Sequence, residues 1–110
     1  MSQYLRPFIE ALSLTTQPVS IAAVASFSVG QVSVATTSTL IRAANTTRKF
    51  LEITNSSPIR DVYIGNTGVT ITTGHIVPPG SSFIIDNAVC TAAFYGVAQG
   101  AAATVTYIEW

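Results

Sequence analysis

The sequence predicts an all-β domain: a small antiparallel β-sandwich, jelly-roll or immunoglobulin-like, with about eight strands and a short N-terminal arm or helix. Three observations carry this. From residue 18 onward β-branched and aromatic residues dominate, and apolar positions recur with a period near two, as the faces of strands do. Turn-forming residues interrupt these runs every eight to twelve residues. No segment between them has the length and period of a crossover helix, which excludes a parallel βαβ plan. With 110 residues the chain has room for one core.

The opening stretch stands apart. Tyr4, Phe8 and Leu12 recur at intervals of four with Leu5 and Ile9 beside them, forming one apolar face of a short helix. Pro7 falls near its start, where proline is tolerated. A helix of two or three turns is not stable alone in water, so this face is expected to dock on its own domain or on a neighbouring subunit. Residues 1–17 are therefore read as an arm and residues 18–110 as the sandwich.

Along the sandwich, Phe27 and Val29 share one parity and Val32 and Val34 the other, so Gly30 between them predicts a tight turn or bulge. Residues 35–41 continue as a Thr-rich extended segment. Residues 48–55 form the clearest strand, with Leu51 and Ile53 on one face and Glu52 and Thr54 on the other. After the turn cluster at Asn55, Ser56, Ser57 and Pro58, residues 61–66 read as a strand with Val62 and Ile64 inward. Asn66, Thr67 and Gly68 lead into a strand over 69–72. Short strands follow at 75–77 and 82–85, and the last two at 90–97 and 104–110.

Composition narrows the function. Only 9% of residues are charged, against about 25% in an ordinary soluble domain, and the five basic and five acidic side chains cancel. Fifteen threonines and eleven serines supply the remaining polarity. A surface so poor in charge lacks self-repulsion and is expected to be partly covered by partners. Zero net charge removes the electrostatic footprint of nucleic-acid binding, and the one basic cluster, Arg42, Arg48 and Lys49, reads as a solvated strand entrance beside Glu52. Cys90 is the single cysteine, so no internal disulfide forms. Neither a signal peptide nor a membrane anchor is expected, since the longest apolar run, residues 21–25, is far too short to span a bilayer.

No constellation predicts catalysis. Cys90 and His75 are the one conceivable nucleophile and base, but Val89 and Ala92 beside the thiol suggest core burial. Of the carboxylates Glu10, Glu52, Asp61, Asp86 and Glu109, all but Glu10 sit in or beside strands and are explained as surface partners of Arg48, Lys49 or Arg60; the glycines sit singly at turns, and no metal-ligand spacing exists. Asn45-Thr46-Thr47 and Asn55-Ser56-Ser57 match the glycosylation pattern and are read as turns. Tyr95 and Tyr107 are expected to be partly buried. Tyr63 and Trp110 are the amphipathic aromatics suited to an interface or to stacking on a sugar ring.

From Leu40-Ile41-Arg42 through Ala44-Asn45-Thr46-Thr47-Arg48-Lys49 to Asn55-Ser56-Ser57, the chain resembles small tailed-bacteriophage virion structural proteins. The resemblance continues in Val62-Tyr63-Ile64-Gly65, in Pro79-Gly80-Ser81 with Phe83, and in Thr104-Val105-Thr106 with Trp110. It covers about the last 70 residues. It implies a β-sandwich component of the particle, most simply a decoration or cement protein on the capsid surface, assembled in the host cytoplasm and without enzymatic activity. The expected partners are other copies of itself, a trimer above other states, and the major capsid protein, with no nucleic acid, membrane or cofactor. Tyr4, Leu5, Phe8, Ile9, Leu12, Tyr63 and Trp110 are the interface candidates. A host-recognition module that binds carbohydrate through Tyr63 or Trp110, or a neck or tail connector, is the alternative.

Overall fold

The computed structural model describes residues 26–110. Its strands are β1 Ser28–Val34, β2 Thr39–Arg42, β3 Leu51–Asn55, β4 Val62–Gly65, β5 His75–Val77, β6 Ser82–Ile85, β7 Phe94–Ala98 and β8 Ala103–Glu109. They form two four-stranded sheets, β1-β8-β3-β6 and β2-β7-β4-β5, and every neighbouring pair is antiparallel. Apart from β4 and β5, consecutive strands belong to opposite sheets, so the chain wraps around both layers. This is the order of an eight-stranded jelly roll, not the seven-stranded division of an immunoglobulin domain. The expected arm, and the boundary between residues 17 and 18, lie outside the described residues.

Alternation places the core. Leu51, Ile53 and Asn55 of β3 point inward, as do Ala103 and Val105 of β8 and Val62 and Ile64 of β4. Leu51, Ile53, Val62 and Val105 are fully buried, and each such side chain contributes about 1.5–3 kcal/mol on leaving water. Asn55 is the polar exception at the centre. Its Nδ2 donates to the carbonyl oxygens of Arg60 (2.7 Å) and Val77 (2.8 Å), and its Oδ1 accepts from the Ser57 amide (3.0 Å). One side chain thus ties the end of β3 in the first sheet to β5 in the second. Asn45 likewise accepts from the Thr47 amide, so both asparagine motifs do serve as turns.

Local readings are corrected at four places. Gly30 lies inside an unbroken β1, not at a turn: a Cβ there would stand 2.4 Å from the Tyr107 hydroxyl, so the glycine makes room for that ring. The odd-numbered residues of β1 simply face out and the even-numbered ones in. Residues 69–72 are a turn, because threonine hydroxyls capture the local backbone: the Thr70 amide donates to Thr73 Oγ1 (2.9 Å) and the Thr72 amide to Thr70 Oγ1 (3.3 Å). Val69 is buried there against Gly65 and Gly74. Residues 88–91 form a 3-10 turn capped by Asn87, whose Oδ1 accepts from the Val89 amide, so β7 begins only at Phe94. Arg48 is not a solvated residue at a strand entrance but a buried one.

Candidate protein-interaction face

The outward face of the β1-β8-β3-β6 sheet divides into two halves, and cross-strand register sets what they contain. One row runs Val29, Ile108, Glu52, Ile84 across the four strands. The next runs Gln31, Thr106, Thr54, Ser82, with Thr54 and Ser82 hydroxyls 2.8 Å apart. Beyond the first row, Phe50 and Trp110 exchange backbone hydrogen bonds (3.1 and 3.2 Å), and their rings stack at 4.2 Å, 8° from parallel. Carrying the β1–β8 register one residue further sets Phe27 beside Trp110.

Phe27, Val29, Phe50, Ile108 and Trp110 therefore gather at one corner of the sheet, with Ile84 at the same end on the far edge strand beyond Glu52, while the opposite half is threonine, serine and glutamine. Four of the six stay open to solvent: Phe27 62%, Val29 65%, Ile84 56% and Trp110 49%. On the other sheet the exposed Leu40 and Ile76 fall in different cross-strand rows, Leu40 with Tyr95 and Gly65 and Ile76 with Tyr63 and Val97, so they do not make a comparable patch. An apolar corner of this kind beside a polar half-face is a candidate contact surface. Glu52 lies within it, and among the described residues both ion pairs go to Glu109 instead.

The corner is held from beneath. Glu109, the residue before Trp110, points inward and receives Arg42 Nη2 at one carboxylate oxygen and Arg48 Nη1 at the other (2.9 Å). Arg48 also donates Nε to the Cys90 carbonyl (2.5 Å), Nη1 to that of Ala43 (3.2 Å) and Nη2 to that of Ala92 (2.6 Å). Arg42 donates to the Tyr107 hydroxyl (3.1 Å) and lies over its ring at 4.3 Å. This network takes Arg48 off the surface and ties down the partly exposed Arg42, leaving little of the basic cluster that the sequence displays.

Burial opposes the charge on Glu109, but the hydrogen bonds from Arg42 and Arg48 outweigh it and hold the carboxyl below its ordinary value of 4.5. The unfolded chain then takes up the proton first. The stability Glu109 confers is present above about pH 4.5 and is lost as pH falls through the lower folded value. Thermal unfolding followed from pH 7 to pH 3 is expected to show a falling midpoint in acid, and Glu109→Gln should flatten that limb while lowering the midpoint at neutral pH.

No protein family, curated protein or solved structure matches the chain.

Of the interface candidates taken from the sequence, Tyr4, Leu5, Phe8, Ile9 and Leu12 lie outside the described residues. Trp110 stands in the apolar corner. Tyr63 is not brought near it: it faces out from the other sheet, half-buried, with its hydroxyl on Gln99 Oε1 (3.2 Å) and Gly74 packed against its Cβ. The Cys90 thiol donates to the Arg48 carbonyl (3.1 Å), while His75 lies against the Phe83 ring, so the two do not form a nucleophile and base. Among the described residues no three His, Cys, Asp or Glu side chains group as metal ligands, and no helix is long and apolar enough to cross a membrane. The surface hollows are open ones, such as that between Thr36, Val69, Ile71 and Val97.

Phe27, Val29, Phe50, Ile84 and Ile108 escaped sequence reading as contact residues. A usable signal existed: adjacent apolar pairs within strands, such as Ile84-Ile85 and Tyr107-Ile108, force one member outward.

Proposed function

We propose that this protein is a structural component of a bacteriophage virion, a decoration or cement protein that binds the capsid surface and other copies of itself through protein contacts. The observation that carries the reading is the exposed corner of Phe27, Val29, Phe50, Ile108 and Trp110, with Ile84 at the same end, on a domain almost without charge. Its partner brings apolar side chains to the aromatic pair and a cation or hydrogen-bond donor to Glu52. Jelly rolls recur in capsid and lectin domains, so the scaffold suits this role. Each copy needs only modest affinity, because an oligomer engages several subunits of the shell at once, and bound copies stabilise the assembled state by mass action.

The test is occupancy on purified particles. Wild-type protein is expected at hundreds of copies per particle. The double substitution Phe27→Ser with Trp110→Ser, which removes two aromatic anchors from an exposed surface, should reduce occupancy at least tenfold while the isolated domain keeps its far-ultraviolet circular dichroism. Full occupancy by the folded variant overturns the reading, and six or twelve copies would place the protein in a neck or tail.

The exposed Trp110 ring also suits stacking on a sugar, which keeps carbohydrate recognition as a second reading. Binding on a glycan array that disappears with Trp110→Ala favours it; a silent array removes it.

A further inference from the structure

We propose that the outer edge of β1 is a strand-addition site for a second copy of this chain, whose own β1 runs antiparallel to it about a two-fold axis at Gln31. Two four-stranded sheets would become one sheet of eight.

The four sheet edges are not alike. β6 has four residues and lies between Gly80 and Asp86, β5 has three and runs into Pro78 and Pro79, and β2 is broken by a register shift between Leu40 and Arg42. Shortness, proline, charge and bulges are the devices that keep edges from pairing with other chains. β1 has none of them. It is seven residues long, unbroken in its register with β8, and free of proline and charge. Among the described residues nothing pairs with its outer side.

The occupant follows from charge, register and turn chemistry. From residue 11 to residue 41 the chain carries no charged side chain, so two copies of this edge meet without repulsion. Antiparallel pairing centred on Gln31 sets Gly30 opposite Val32 and Val29 opposite Ser33, keeping inward residues on the core side and outward residues outside. Val32 and Tyr107 are only partly buried at this margin, and the added strand would finish covering them. The rival occupant is the chain's own preceding segment folded back as a hairpin. Residues 19–27 contain no Gly, Asn, Asp or Pro, and Ser20 and Ser26 are their only turn-forming side chains, so the favoured two-residue hairpin turns have no residues to build on there.

This pairing is independent of the virion role but bears on it. The partner lays its Val34 end beside Ser28, so each copy's Phe27–Trp110 corner stays uncovered, and the two corners lie on one face of the joined sheet. A two-fold pair of this kind is bivalent, and it differs from the trimer expected from the sequence.

The test uses the purified full chain without any particle, so its failure and that of the virion reading are distinguishable. Light scattering coupled to size exclusion should give the mass of two chains. Gln31→Lys, which places two cations face to face on the axis, should weaken the pair at least tenfold. Gln31→Cys should crosslink two copies under mild oxidation, Cys90 being buried with its thiol engaged. A monomer at all concentrations overturns the proposal, as does any oligomer that Gln31→Lys leaves intact and Gln31→Cys fails to crosslink. A monomer whose outward-pointing β1 amides, those not bonded to β8, resist hydrogen exchange overturns it in favour of residues 1–25 covering the edge.

Discussion

Arg48→Met is expected to lower the unfolding midpoint by at least about 12 °C. Breaking a buried ion pair by removing one partner costs about 3–5 kcal/mol, and a domain of this size loses about 4–8 °C per kcal/mol. The mechanism is specific. Arg48 is almost wholly buried and answers three backbone carbonyls besides Glu109, so methionine leaves the oxygens of Cys90, Ala43 and Ala92 without their donor. Arg42 is the internal control: its side chain is partly exposed and its Nε has no hydrogen-bond partner among the described residues, so Arg42→Met should cost clearly less. Thermal circular dichroism of the two variants side by side checks the ranking. Equal losses would mean that the network is held by the carboxylate alone.

Asn55→Ala is expected to cost about 3 kcal/mol or more. The change strands the carbonyls of Arg60 and Val77 and the amide of Ser57 in a site closed to solvent, and each such group carries a penalty of about 1–3 kcal/mol. Asn55→Asp should do at least as much harm, since it keeps the acceptor for Ser57 but aims a carboxylate at two carbonyl oxygens. Urea unfolding measures both. A loss under about 1 kcal/mol for either variant would mean that water replaces the amide and that the site is not closed.

These two residues also mark what the sequence could and could not convey. The sandwich was legible because Leu51, Ile53, Val62, Ile64 and Val105 alternate with polar neighbours, and a period of two needs no tertiary information to be seen. Turn chemistry at Asn55, Pro58 and Pro79 placed most boundaries. Arg48, by contrast, has the sequence surroundings of a surface cation, and only the approach of Glu109 from the last strand, sixty-one positions away, makes it an interior residue. Gly30 misled for the same reason: its cause is the Tyr107 ring on a strand that follows it by more than seventy residues. The apolar corner draws on β1, β3 and β8 and the residues flanking them, so no local window contains it. Trp110 was found because a strand-terminal tryptophan is conspicuous alone. Phe50 and Phe27 were not, because their meaning depends on the ring between them.

The pairing of Ser28 with Glu109 has a mechanical consequence. The described domain begins and ends on adjacent antiparallel strands, with residue 26 and Trp110 emerging at the same end of the ladder. Tension applied between those two points would peel β1 from β8 one rung at a time, like a zipper, where shear along the strands would have to break all seven rungs together. Single-molecule pulling from these ends should therefore meet low resistance, and any attachment that bears load is better made through the loops at the far end of the sandwich.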